Sequence, residues 1–163
     1  MDKVLYLDVD GVLNDMAAHD DAAEDPNFQY DKPNAAIVFS HLLVGRYIGR
    51  INLICVDGDV GVILCSELRR YVPLEALLRK SGFVGPILGM TSVVPPTRPL
   101  GTNERNAFSD EIESDIKKNG YKKFVVLTSV DTLLSEELEE RAVRCEDGIE
   151  PEDVGRVVQL FAE

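Results

Sequence analysis

Short, continuously apolar segments recur along the chain, and stretches with helical periodicity separate them. The apolar segments cover residues 4–10, 61–65, 86–90, 124–128 and, less clearly, 141–145. Strands without polar alternation are buried on both faces, as they are in the middle of a parallel sheet. Strands that alternate with helices form crossover units whose helices cover the sheet. We therefore expect an α/β fold, with a three-layer, Rossmann-like parallel sheet of about five strands and helices on both faces.

The intervening helices are predicted from apolar spacing and from residues that start or stop helices. They cover residues 35–51, 73–82, 110–118 and 151–161. Ser109 is expected to cap the third of these helices, and Asn119 with Gly120 to end it. The spacing does not determine the state of the apolar stretch that continues through Val56.

Two stretches do not fit this alternation. Residues 14–34 are polar and acidic and too short for a domain, so we expect a surface flap inserted after the first strand. Residues 93–106 contain three prolines and are predicted to form an extended loop. Because 163 residues is an ordinary size for one domain, we expect a single domain over residues 1–163.

The acidic composition limits the partners of the chain. It has 17 Lys and Arg against 29 Asp and Glu, which gives a net charge of −12. Proteins that bind nucleic acid through bulk charge neutralise phosphates with clustered Lys and Arg, so that class is excluded. An anionic membrane surface is disfavoured for the same reason. A phosphorylated small molecule or a nucleic-acid terminus stays compatible, provided that a cation screens its phosphate.

Cysteine usage and targeting signals indicate the compartment. Cys55, Cys65 and Cys145 show no CxxC spacing, which argues against a disulfide framework and a zinc site. The N-terminus has no secretory pattern, and no apolar run approaches the ~18 residues that span a bilayer. We therefore expect a cytoplasmic protein. Its oligomeric state is not indicated.

Two acids end the first apolar segment, at Asp8 and Asp10, and Gly11 follows them. Side chains two apart on a strand point to the same side, and parallel sheets bind ligands beyond the carboxyl ends of their strands. Two carboxylates about 4 Å apart repel by roughly 4 kcal/mol at an effective dielectric of 20, so the pair favours a divalent cation, and oxygen ligands favour Mg²⁺. One Asp could then attack phosphorus, and the other could transfer protons. The alternative is two solvated acids at a strand end.

Residues 8–14, with the sequence DVDGVLN, resemble the first motif of the haloacid dehalogenase (HAD) superfamily. Later segments, in the same order, resemble the small HAD domains associated with nucleic-acid end repair. Those segments are 62–69, 77–83, 89–91 and 147–153. The resemblance implies an Mg²⁺-dependent phosphatase with a minimal or absent cap domain.

The resemblance also implies roles for individual residues. Asp8 would be the nucleophile and Asp10 the general acid and base, and the backbone carbonyl of Asp10 would join Asp8 as a metal ligand. The second motif supplies a hydroxyl to the phosphoryl oxygens. Depending on alignment by one residue, that group is Ser66, or it has been replaced by Cys65. Arg69 is a phosphate-binding or structural cation.

The third and fourth motifs are less regular. The third is a cation for the phosphoryl group, for which Arg105 is our first choice and Arg98 our second. Each could instead be a solvated loop cation. In relatives the fourth motif supplies acids to the metal, but Thr128 and Ser129 occupy those positions here. Asp131 could still reach the metal, directly or through water.

These features lead to two hypotheses about function. The first is an Mg²⁺-dependent phosphomonoesterase that forms an aspartyl-phosphate and acts on a nucleotide, a nucleic-acid end or another small phosphate. The second is a degenerate HAD-like domain that binds a phosphorylated ligand or a protein partner without turnover. A phosphotransferase that passes the phosphoryl group to another acceptor is a third, weaker alternative.

Overall fold

The computed structural model describes residues 2–24, 42–70, 72–93 and 104–163. Five parallel strands form one sheet in the order β3-β2-β1-β4-β5. The strands are β1 (Lys3–Leu7), β2 (Val60–Leu64), β3 (Ile87–Met90), β4 (Lys123–Ser129) and β5 (Ala142–Cys145). The expected Rossmann-like α/β architecture is confirmed, and it places the carboxyl end of β1 at the centre of the sheet edge.

The described ranges also contain six α-helices and a 3-10 helix, which connect the strands or follow the last of them. The α-helices are α1 (Met16–Glu24), α2 (Gly45–Gly58), α3 (Leu74–Lys80), α4 (Glu104–Asn119), α5 (Glu136–Glu139) and α6 (Pro151–Ala162). The 3-10 helix covers Glu67–Arg70 and follows β2. None of the helices in this part of the chain is long and apolar enough to cross a membrane.

Helices cover both faces of the sheet, which gives the predicted three layers. On one face, Leu5 and Leu7 of β1 pack with buried residues of α2, α3 and α6. On the other face, Val4 and Tyr6 pack with Ile112 of α4 and with α5. Because adjacent residues of β1 point to opposite faces, the continuous apolar run fills both cores.

Two helix predictions are wrong within the described residues, because one helix starts earlier than predicted and another is interrupted. α4 begins at Glu104, so Ser109 lies inside this helix, where its hydroxyl accepts a hydrogen bond from Ser135 N (3.1 Å) instead of capping. The helix predicted over 35–51 is interrupted, because Val44 is extended and donates its N–H to the Leu13 carbonyl (2.9 Å). α2 then continues through Val56 to Gly58.

The polar segment after β1 is partly helical, since α1 occupies its first part. The backbone N–H of Met16, at the start of α1, donates to Asp147 Oδ1 (2.8 Å) in the loop after β5. Residues 25–34 of the predicted flap, and residues 94–103 of the predicted proline-rich loop, lie outside the described residues. Residues 104–106 of that loop belong to α4.

Candidate active site

Asp8 follows β1 directly and is buried, with 8% of its surface exposed. Its Oδ1 accepts from Val9 N (2.8 Å), and its Oδ2 accepts from Thr128 Oγ1 (2.9 Å). Burial raises the pKa of Asp8 from 3.8 to about 6, and the nearby charge of Asp10 adds to this rise. Hydrogen bonds from Thr128, Val9 and Ser66 act in the opposite direction. A buried carboxylate with a raised pKa is thus held at the centre of the carboxyl edge.

Asp10 is exposed, in contrast to Asp8, and lies in the turn after β1. Its Oδ1 accepts from Asn14 Nδ2 (3.0 Å), and Asn14 Oδ1 accepts from Gly11 N (2.7 Å). Gly11 has a φ of +72°, and a Cβ at this position would lie 2.7 Å from Ser129 Cβ. The turn that presents Asp10 therefore requires glycine, both for its conformation and for its contact with the end of β4.

The second-motif residue that reaches Asp8 is Ser66. Its hydroxyl is buried, lowers the pKa of the Asp8 carboxyl and accepts from Leu68 N (3.3 Å). Cys65 is buried among the apolar residues beside α4, and burial raises the pKa of its thiol well above the ordinary value. Cys65 therefore stays a neutral core residue, and the geometry favours Ser66 as the hydroxyl of the second motif.

Of the three arginines predicted to bind phosphate, the structure describes the side chain of Arg69 alone. Arg98 lies outside the described residues, and so does the side chain of Arg105. The Arg69 guanidinium is buried and donates to the carbonyls of Cys65 (2.9 Å), Ser66 (2.7 Å) and Thr91 (3.2 Å). These contacts favour the structural alternative for Arg69 over a phosphate contact.

Hydroxyl groups cluster at the carboxyl end of β4, where relatives carry acids. Thr132 Oγ1 lies 2.8 Å from Thr128 Oγ1 and 3.2 Å from Ser129 Oγ. Asp131 is exposed on the turn that Thr132 N closes by donating to the Ser129 carbonyl (3.2 Å). Across the described ranges, no three His, Cys, Asp or Glu side chains could hold a metal ion together, so Asp131 does not form such a group with Asp8 and Asp10.

The candidate ligands here, the Asp8 carboxylate and the Asp10 carbonyl, are nevertheless oxygen atoms, which suits Mg²⁺. Asp8 is a buried carboxylate, and burial is the main cause of its raised pKa. A buried charge requires a partner, and Mg²⁺ in proteins often uses one or two carboxylates, substrate phosphate and water. The Asp8 carboxylate is a ligand of the kind that such a sparsely liganded ion uses.

Two residues near this edge of the sheet were not selected from the sequence. Thr132 joins the hydroxyl cluster at the end of β4, and buried Glu111 of α4 forms an ion pair with Arg69. Thr132 lies four residues after Thr128, and in a turn this spacing does not predict that the two side chains are in contact. Glu111 stands between Asp110 and Ile112, and an acid in an acidic helix does not reveal which acid is buried.

Removing the charge of Asp8 should stabilise the metal-free protein at neutral pH. The raised pKa means that the native state binds more protons than the unfolded state between about pH 4 and pH 6, so stability falls as pH rises through this window. Above this pH window, the ionised Asp8 lowers the free energy of unfolding by up to about 3 kcal/mol. Asp8→Asn keeps the shape, and we expect its free energy of unfolding at about pH 7.5 in EDTA to exceed that of wild type by about 1–3 kcal/mol.

Urea denaturation of both proteins measures this difference. The gain should shrink toward zero as the pH falls below about 4, because Asp8 then becomes protonated in both the folded and the unfolded chain. Asp57→Asn, on the exposed side of α2, is the matched control and should show no such pH-dependent gain. An Asp8→Asn variant less stable than wild type at neutral pH would contradict the burial of a charged carboxylate.

A family model described as the HAD domain in Swiss Army Knife RNA repair proteins matches residues 4–154. No curated protein and no solved structure matches the chain significantly. The matched region begins within β1 and includes the other four strands, and it confirms the resemblance to small HAD domains linked to nucleic-acid repair, here RNA repair. HAD membership suggests a phosphatase-type hydrolase, and HAD proteins generally use Mg²⁺. The chain belongs to the family of HAD domains found in Swiss Army Knife RNA repair proteins.

Proposed function

We propose that this chain is an Mg²⁺-dependent phosphomonoesterase that removes a terminal phosphate from RNA through an aspartyl-phosphate on Asp8. The observation that carries the proposal is the buried Asp8 carboxylate at the end of β1, which accepts hydrogen bonds from Val9 N and Thr128 Oγ1 and whose pKa the Ser66 hydroxyl lowers. The family match supports the substrate class, because this HAD domain occurs in RNA repair proteins.

The reaction consists of two displacements at phosphorus. An oxygen of Asp8 forms a bond to phosphorus while the ester bond to the RNA oxygen breaks, and Asp10 gives that leaving oxygen a proton. Asp10 then takes a proton from water, whose oxygen attacks phosphorus and releases inorganic phosphate and the Asp8 carboxylate. The exposed position of Asp10 and its contact with Asn14 suit a group that exchanges protons with solvent.

Other residues bind and neutralise the phosphoryl group. The Ser66 hydroxyl is next to Asp8 and would donate to a phosphoryl oxygen, and Arg105 or Arg98 would supply the positive charge of the third motif. The Asp8 carboxylate and the Asp10 carbonyl would hold Mg²⁺, with Asp131 contributing at most through water. When bound, Mg²⁺ screens the repulsion between the carboxylates and the phosphate dianion.

The negative net charge of the chain favours the end of an RNA as the substrate over the phosphodiester backbone along its length. A net charge of −12 repels a long phosphodiester backbone, whereas a terminal phosphate brings only one group to the metal and to Asp8. An open site, as expected for a minimal cap, admits a chain end attached to a bulky polymer.

Release of inorganic phosphate from short RNA oligonucleotides tests the proposal. We expect turnover of oligonucleotides that carry a 5′- or 3′-phosphate in the presence of Mg²⁺, none in EDTA, and none with oligonucleotides that lack a terminal phosphate. Asp10→Asn should slow release strongly, and the surface control Asp57→Asn should not. An unchanged rate in EDTA would contradict the metal dependence, and an unchanged rate in Asp10→Asn would contradict its role.

Binding without turnover is the second candidate function. The hydroxyls of Thr128 and Ser129 at the acid positions of relatives favour it, because they leave the metal with few ligands. Titration calorimetry with terminally phosphorylated RNA separates the two functions. Heat of binding without any phosphate release, unchanged in Asp10→Asn, would establish the binding function instead.

A further inference from the structure

A buried ion pair lies behind the Ser66 hydroxyl. The side chains of Arg69 and Glu111 are each only 3% exposed, and the two form a salt bridge through Arg69 Nη2 and Glu111 Oε2. Glu111 Oε1 also accepts from Arg70 Nη2 (2.8 Å). The pair joins the 3-10 helix after β2 to α4, two elements more than 40 residues apart in sequence.

Arg69 contacts three backbone carbonyls at the carboxyl ends of two strands. Its Nη1 donates to Cys65 O (2.9 Å) and Ser66 O (2.7 Å), which follow β2, and its Nε donates to Thr91 O (3.2 Å), which follows β3. These carbonyls lie beyond the last ladder bonds of their strands. The planar guanidinium fork therefore fixes the path of the chain on both sides of Ser66.

Stability alone does not account for this arrangement. Two charges removed from water cost several kcal/mol each, and apolar residues of similar volume often fill such a site equally well. What the ion pair provides, and an apolar pair would not, is a fixed orientation for donors that hold the Cys65 and Ser66 carbonyls. Ser66 is fully buried next to the end of β1, because Leu64 pairs with Leu7 and Cys65 N donates to Leu7 O (3.0 Å), and its hydroxyl lowers the pKa of Asp8.

We propose that Arg69 and Glu111 are positioning residues that hold the Ser66 hydroxyl at the phosphoryl site beside Asp8. The inference rests on the proposed function, because Ser66 matters here only where a phosphoryl group binds. It also reassigns Arg69, whose side chain is turned to carbonyls and Glu111, from phosphate contact to support of the residue that makes this contact.

The affinity for inorganic phosphate, measured by titration calorimetry in Mg²⁺, tests the proposal without requiring turnover. Arg69→Lys keeps the charge but loses the fork, and we expect it to weaken phosphate binding roughly tenfold, since small misplacements of a binding group have such effects. Arg70→Lys is the matched control, because Arg70 contacts Glu111 but none of the three carbonyls, and its phosphate affinity should stay that of wild type.

A double-mutant cycle separates positioning from general loss of structure. If Arg69 acts through Ser66, Arg69→Lys should weaken phosphate binding in wild type and add nothing in the Ser66→Ala background. A merely structural role would lower the free energy of unfolding but leave the affinity of the folded protein unchanged. If Arg69→Lys does not fold, Glu111→Gln, which keeps the shape and both arginines, replaces it in the cycle.

The outcomes distinguish this inference from the proposed function. The positioning role would be overturned if Arg69→Lys left the phosphate affinity unchanged, or if it lowered this affinity equally in the presence and absence of the Ser66 hydroxyl. The proposed phosphatase activity would still stand in either case, provided that the wild type is active. Suppose that the wild type binds phosphate without turnover and that the double-mutant cycle gives the expected result. This outcome would overturn the proposed phosphatase activity and leave the positioning role intact. A wild type that binds no phosphate would overturn the positioning role, and it would overturn the phosphatase as well if it also released no phosphate from terminally phosphorylated RNA.

Discussion

Asp8→Asn should lower the turnover of terminally phosphorylated RNA by at least about 1,000-fold, as loss of a nucleophile does in other covalent mechanisms. The amide cannot form the acyl phosphate, although its oxygen can still accept from Val9 N and its NH₂ can donate to the Thr128 hydroxyl. Steady-state phosphate release, normalised to folded protein, measures the loss.

The free energy of unfolding of Asp8→Asn distinguishes loss of the nucleophile from a general loss of structure. The same variant is expected to be more stable than wild type at neutral pH, so inactivity together with a higher free energy of unfolding identifies Asp8 as chemically essential. Turnover that survives in Asp8→Asn would remove the covalent mechanism.

Gly148→Ala should cost at least about 3 kcal/mol of stability, because strain and overpacking act at the same position. Gly148 has a φ of +88°, and an added Cβ would overlap the ring of Tyr47, with the phenol oxygen only 2.6 Å away. Tyr47 is buried and cannot easily yield, since its hydroxyl hydrogen-bonds to Asp15 Oδ2 (2.8 Å) and to the Asp147 carbonyl (3.1 Å). Urea denaturation measures the loss.

Gly120→Ala is the matched control for Gly148→Ala. Gly120 has a φ of +70°, but nothing lies within 4 Å of the position that a Cβ would take. Its replacement should therefore cost only the left-handed backbone penalty of about 1–2 kcal/mol. Equal losses in the two variants would show that Tyr47 gives way and that contact with its ring does not constrain this loop.

The loop at Gly148 also bears on the site, because it supports the turn that carries Asp10. Gly148 N donates to Gly11 O (3.0 Å), and Ile149 N donates to Val12 O (2.8 Å). Any folded Gly148→Ala protein should consequently lose activity as well, since the turn after β1 would shift with this loop.

The sheet was predictable from the sequence because burial on both faces leaves a direct pattern. Val4 to Leu7 form an unbroken apolar run that ends at an acid, and this run alone identifies a central parallel strand. The start of α4 was not predictable, because Ser109 is of a residue type that often caps helices. In the structure its hydroxyl instead accepts a hydrogen bond from the backbone N–H of Ser135, which is distant in sequence.

The candidate site was predictable only where its residues are adjacent in sequence. Asp8 and Asp10 share one strand end, so their spacing sufficed. Neighbouring residues at the end of a strand point in different directions, so packing had to decide between Cys65 and Ser66. The pairing of Arg69 with Glu111 depends on how α4 lies against the sheet, and no local pattern contains that information.

Rapid acid quench of the protein mixed with terminally phosphorylated RNA and Mg²⁺, followed by mass spectrometry of the peptide that contains Asp8, tests the central claim most directly. We expect a phosphoryl group on Asp8 during turnover, no such group on the Asp8→Asn protein, and its disappearance once substrate is consumed. Phosphate release with no phosphoryl group on Asp8 at any time, or with the group on another residue, would contradict the claim.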